Sequence, residues 1–252
     1  MENSKEYILK PGFSNSFGTG WQVMKDNFLR LFLVVIVLAI VTGPYKMVDF
    51  KFDPSDLHGG PWNWNWNDAG DFQHIIGLAS VGIFAAFFAL LAGLYVLLVA
   101  PVFQYGGKMI FVQAVRRGKP DFEYFIKGFM ENYLSIVLAN LLVIALVVMG
   151  LFAILIPGII IGCRLVFVSY IVMDKKLDPI EAVELSWKMT RGHGWQIFFM
   201  GISSFFIMIF GLILFIVGIF PALIWISSSF AALYESVNLE MSAPNVTETA
   251  AA

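Results

Sequence analysis

Arg164 is the residue whose type and setting could do the most chemistry. It stands in the apolar stretch Gly158-Ile159-Ile160-Ile161-Gly162-Cys163-Arg164-Leu165-Val166-Phe167, after Pro157 and before Asp174. At about 1.5 Å per helical residue, that position is near mid-membrane if the stretch crosses a bilayer. An arginine there costs at least about 2.5–3.5 kcal/mol on insertion scales, so it must face protein, water or an anion. No Asp or Glu falls inside the apolar stretches, which leaves no intramembrane ion pair and no carboxylate chain for a proton relay. The available polar groups are Asn140, Ser203, Ser204, Ser227, Ser228 and Ser229, together with carbonyls freed beside proline or glycine. Three readings stay open. Arg164 ties helices together through carbonyls, or it contacts an anionic lipid headgroup or solute with Asn140, Ser203 and Ser204, or it lines a transport pathway.

Other chemistry is sparse. In Pro61-Trp62-Asn63-Trp64-Asn65-Trp66-Asn67-Asp68, alternation puts Trp62, Trp64 and Trp66 on one face if the chain is extended. Such a face reads as an interfacial anchor or as an external docking surface for a partner or a sugar. Asp49, Asp53, Asp56, Asp68 and Asp71, with His58 and His74, match no calcium-loop spacing. Cys163 is the only cysteine, so no internal disulfide or cysteine metal cluster can form. No nucleophile–histidine motif, phosphate-binding glycine loop or H-E-x-x-H pattern is present. No catalytic residue, cofactor or metal is expected, and nothing points to nucleic acid. Arg116-Arg117-Gly118-Lys119 reads as a topology determinant or as a contact for anionic lipid.

The elements that hold these residues follow from composition. Apolar residues make up 59% of the 252 and charged residues 13%, with a mean hydropathy of +0.79. Soluble domains carry about 25% charged residues. The sequence predicts an all-α polytopic membrane protein with six transmembrane spans, about 28–44, 75–103, 134–155, 158–173, 197–219 and 222–234. Pro157-Gly158 and Pro221 mark the expected reversals of two tight hairpins. The start does not read as a secretory signal, and a polar tail over 242–252 is expected to be disordered.

Charge sets the expected orientation. Lys5, Lys10, Lys25, Arg30, Lys108, Arg116, Arg117, Lys119, Lys127, Lys175, Lys176, Lys188 and Arg191 fall on one side of six crossings. Lys46 and Lys51 fall on the other, among the aspartates. The positive-inside rule makes the basic side, and both termini, cytoplasmic.

An internal repeat is expected as well. Gly20 to Phe32 aligns without gaps to Ser186 to Phe198, and Phe125 to Val137 fits the same frame. Asn27, Asn132 and His193 then coincide as polar hinge positions. Phe17, Phe122 and Val183, and four residues on Trp21, Ile126 and Trp187, make a stripe on one helical face. Each unit reads as a cytoplasmic interfacial helix followed by a transmembrane hairpin, giving three units in all. In the third, Asp178 suits the N-cap, Pro179 the first helical position and Glu181 a capping box.

The stretch from Val172 to Gly192 (VMDKKLDPIEAVELSWKMTRG), with the Arg164 segment and Gly118 to Phe129 (GKPDFEYFIKGF), resembles a broad group of bacterial membrane proteins. These include the membrane domain attached to some glycerophosphodiester phosphodiesterases and its stand-alone relatives of unknown function. The resemblance implies a six-helix domain of the bacterial inner membrane. The soluble catalytic barrel of those enzymes has no counterpart in this sequence. The leading expectation is therefore a non-enzymatic scaffold or accessory subunit, in contact with membrane lipids and a membrane protein partner. The alternative is binding or transport of an anionic lipid or solute through Arg164.

Overall fold

The computed structural model describes residue 7 and residues 9–47, 86–118, 120–153, 155–213 and 215–242. Among the described residues there are helices and turns and no strand. The helices are α1 (Phe13–Asp26), α2 (Phe28–Met47), α3 (Ala86–Val115), α4 (Glu123–Met130), α5 (Tyr133–Ala153), α6 (Leu155–Arg164), α7 (Val168–Lys175), α8 (Pro179–Met189), α9 (Gly194–Ile213) and α10 (Phe215–Ser242). Trp62, Trp64 and Trp66, the first part of the 75–103 span, and the tail beyond Ser242 lie outside the described residues.

Among the described residues five stretches are long and apolar enough to cross a membrane: Ala86–Val115, Tyr133–Phe152, Pro157–Lys175, Gly194–Ile213 and Gly218–Ser242. The pair α1–α2, whose arms meet at 97°, is a sixth candidate. Their outer faces are apolar. On α9, for example, Phe205, Phe206, Phe210 and Ile213 are each more than half exposed. Water would penalise such a coat at about 25 cal/mol per Å², whereas hydrocarbon does not.

The protein core sits at one end of the bundle. There the second half of α3, the end of α6 with α7, and α10 from Ile224 onward bury Ile110, Phe111, Phe167, Ile171, Ile224 and Tyr234. The short helices α1, α4 and α8 wrap this end. Two of them dock through glycine, because only a residue without Cβ lets the backbones approach so closely. A Cβ on Gly20 of α1 would lie 2.7 Å from the Ser229 backbone nitrogen of α10, and one on Gly106 of α3 would lie 2.9 Å from the Tyr124 carbonyl of α4. The Trp225 indole N–H also donates to the Phe17 carbonyl at 3.0 Å.

Both hairpins reverse earlier than the prolines suggest. Pro157 lies within α6 and Pro221 within α10. Proline is tolerated in a first helical turn because the amide hydrogen it lacks has no intrahelical acceptor there. Deeper in an apolar helix, neighbouring helices absorb the break. Glycine pairs close the reversals instead: a Cβ on Gly150 would sit 3.0 Å from Gly158 Cα, and one on Gly211 would sit 2.9 Å from the Gly218 carbonyl.

The fourth and sixth expected spans also run further than hydropathy indicates. α7 continues to Lys175 and α10 to Ser242, which carries Asp174 and Glu235 into the packed end. Arg116 binds both, with Nη1 2.6 Å from Asp174 Oδ1, Nη2 2.7 Å from Oδ2, and Nε 2.8 Å from Glu235 Oε2. The Tyr234 hydroxyl donates to Asp174 Oδ2 at 2.8 Å. Hydrogen bonding to Asp174 is the main reason the Arg116 guanidinium holds its proton even more firmly than usual. Nearby, Lys108 donates to Ser169 Oγ at 2.9 Å and lies over the rings of Tyr105 and Tyr170. The carboxylate partners missing from the apolar runs are thus present at their packed ends, and they serve Arg116.

Candidate functional site: the Arg164 cleft

The site begins with a break in a helix. In an unbroken helix the Arg164 carbonyl would accept from the Val168 amide. The Val168 amide bonds instead to Leu165 O at 3.2 Å, and the Tyr170 amide to Phe167 O at 3.0 Å, as residues 165–167 form a tight turn between α6 and α7. The freed Arg164 carbonyl accepts the Ser186 hydroxyl of α8 at 2.7 Å, with Thr190 Oγ1 at 3.4 Å. Ser186 and Thr190 are fully buried. Helix α8 is thereby pinned to the end of α6.

From that anchor the next chain reversal follows. Asp178 gives α8 an extended N-cap backbone and Pro179 its first turn, although the Asp178 carboxylate forms no cap hydrogen bond. After α8, Gly192 adopts φ of +92°, a conformation that L side chains rarely take, and the chain turns into α9. The Ile197 amide donates to His193 O at 3.1 Å, so His193 opens α9. Asn27 and Asn132 occupy the same place before α2 and α5, accepting from the Leu31 amide at 3.0 Å and the Ile136 amide at 2.9 Å. His193 Nε2 lies 3.4 Å from Glu240 Oε2 of α10.

Between α6 and α9 a cleft of about 670 Å³ opens, lined by Ile159, Ile160, Cys163, Arg164, Gly192, Gly194, Trp195 and Phe198. This is a normal size for a ligand pocket. Arg164 supplies its only charge. The guanidinium carbon lies 5.8 Å from the centre of the Trp187 ring, a distance at which cation–π attraction still acts. Its Nη1 is buried and has no hydrogen-bond partner among the described residues. A buried donor left unmade costs about 1–3 kcal/mol, and more when charged. The amides of the first turn of α9 lack i−4 partners by helix geometry, and the dipole there favours negative charge. The cleft thus sets one cation within apolar walls, beside the N-terminus of α9.

Arg164 shares this cleft with Gly192 and Gly194, so it is level with the start of α9 and not with its middle. The stretch after it, Leu165 to Met173, is almost wholly enclosed by protein. Asn140, Ser203 and Ser204 are not in the lining, and Ser204 Oγ bonds back to Met200 O at 2.7 Å. The residues that do surround Arg164, chiefly Ser186, Trp187, Thr190 and Trp195, come from α8, its C-cap and the start of α9. Their meeting with α6 was not legible in sequence.

No protein-family model, curated protein or solved structure matches this chain. The comparisons therefore do not link it to phosphodiesterase membrane domains.

Proposed function

We propose that this chain is a non-enzymatic protein of the bacterial inner membrane that binds an anion in the Arg164 cleft. The observation that carries this reading is Arg164 in the lining of an otherwise apolar cavity, with its buried Nη1 given no hydrogen-bond partner by the described residues. An anion there would complete the hydrogen bonding of a charged group that the protein leaves open. Among the described residues the lining holds no carboxylate and no imidazole to pair with Cys163 for proton transfer, and binding fits the site better than turnover. The scaffold reading has no residue among those described that carries it in the same way.

Two structural features support the wider architecture we propose, three units of interfacial helix plus hairpin with both termini cytoplasmic. Asn27, Asn132 and His193 each accept the first amide bond of the helix that follows a short wrapped helix. Lys25, Arg116, Arg117, Lys127, Lys175, Lys176, Lys188 and Arg191 all lie on or beside the elements of the packed end, which is the side the positive-inside rule assigns to the cytoplasm.

The test is native mass spectrometry of the protein extracted gently from its own membrane. A bound anionic species is expected in the native protein and lost in Arg164→Gln with the helical content unchanged. Equal retention by the variant would sink the reading.

A further inference from the structure

We infer that the occupant of the cleft is an anionic phospholipid that enters sideways from the bilayer, headgroup toward Arg164 and acyl chain between α6 and α9. This rests on the anion-binding reading above and adds the source and shape of the ligand.

The walls carry the argument. Helix α6 packs on α5 and α9 packs on α10, each as a glycine-closed hairpin, and residues of α6 and α9 line the cleft. The side chains along the opening are apolar and exposed: Ile159 is 42% exposed, Ile160 52% and Trp195 74%. Ile159 and Ile160 stand on a stretch long and apolar enough to span a membrane, so the medium that meets them is hydrocarbon. A freely soluble anion would have to reach Arg164 past these side chains. A lipid already resides among them. Polarity also runs in the right order along the cleft. Arg164, Gly192 and the first turn of α9 lie at the end wrapped by α8, and Ile159, Ile160 and Phe198 lead away from it. Trp187 and Trp195 flank the charged end, where indole rings favour the headgroup level. One unpaired guanidinium matches one phosphate diester charge. The short helices at this end add Lys188 and Arg191, both exposed, which raise the local concentration of anionic lipid.

Cys163 lines the cleft and is the only cysteine in the chain, so the native protein carries its own reporter. The experiment measures the rate at which N-ethylmaleimide, a small neutral reagent, alkylates Cys163 in the full-length protein, read by mass spectrometry. The protein is placed in phosphatidylcholine vesicles, in vesicles containing phosphatidylglycerol, and in phosphatidylcholine vesicles with soluble glycerol phosphate. Phosphatidylglycerol is expected to slow alkylation about tenfold, the effect of one charge-assisted hydrogen bond, and glycerol phosphate to leave it unchanged. In Arg164→Gln the difference between the two vesicle types should vanish. Equal protection by glycerol phosphate would keep the anion site and overturn the lipid source. Protection by neither would overturn both. A cysteine that does not react even in phosphatidylcholine would show that the cleft is closed to the bilayer, and would also overturn the inference. The native protein's arms decide the matter without the variant, which serves only to assign the effect to Arg164.

Discussion

The hydroxyl of Ser186 donates to the carbonyl of Arg164 at 2.7 Å, across the gap left where α6 stops short of α7. That bond joins a wrapped helix to the broken span and orients the residue that charges the cleft. Ser186→Ala should lower stability by about 1 kcal/mol or somewhat more, because a buried carbonyl loses its nearest donor. Thr190 Oγ1, already 3.4 Å away, limits the loss. Thermal unfolding in detergent measures it. An unchanged midpoint in the double variant Ser186→Ala with Thr190→Val would show that α8 is not held this way.

The Arg116 cluster gives a larger effect with a diagnostic sign. The Asp174 and Glu235 side chains are only 10% and 7% exposed. Removing Arg116 leaves two carboxylates without their cation, and breaking such a pair costs about 3–5 kcal/mol. Arg116→Met alone should therefore be severely destabilising. Adding Asp174→Asn and Glu235→Gln should recover much of the loss, since the uncompensated charge is then gone. Unfolding midpoints of the single and triple variants check this, and a triple variant no better than the single one would refute it.

Two glycines of α1 separate packing from propensity. A Cβ on Gly20 would press into the backbone of Ser229, whereas one on Gly18 meets nothing within 4 Å. Gly20→Ala should push α1 off α10 and cost about 1–3 kcal/mol. Gly18→Ala should gain about 0.5–1 kcal/mol through helix propensity. Opposite shifts in the unfolding midpoint are the expected outcome.

Tyr7 supplies a pH dependence. Its hydroxyl donates to Asp26 Oδ2 at 2.8 Å. Burial first, then the hydrogen bond and charge of Asp26, push the phenol from 10.0 up to about 12. The folded state holds this proton more tightly than the unfolded chain does, so the contribution is complete below pH 10 and is lost as pH rises toward 12. Tyrosinate absorbance should show one group titrating near pH 12 in the native protein and absent in Tyr7→Phe. A curve identical for the two proteins would remove the prediction.

Much of the architecture is written in local sequence. Runs of apolar residues long enough for a membrane announce the spanning helices, because composition and length alone decide whether a helix is stable in hydrocarbon. Polar residues at Asn27, Asn132 and His193 interrupt the pattern where helices change direction, and Asp178-Pro179 marks the start of α8. Tertiary structure decided what those helices do to one another. Pro157 and Pro221 drew attention to the hairpins, yet the reversals close at Gly150 with Gly158 and at Gly211 with Gly218, since close approach depends on which backbones meet. Hydropathy ended two spans before Asp174 and Glu235 because a carboxylate looks like an exit to water until Arg116, far away in sequence, is seen to bind it. Arg164 stood out from its type alone. Its cleft did not, because the surrounding groups come from α8 and α9, and only the fold brings α8 against the break between α6 and α7.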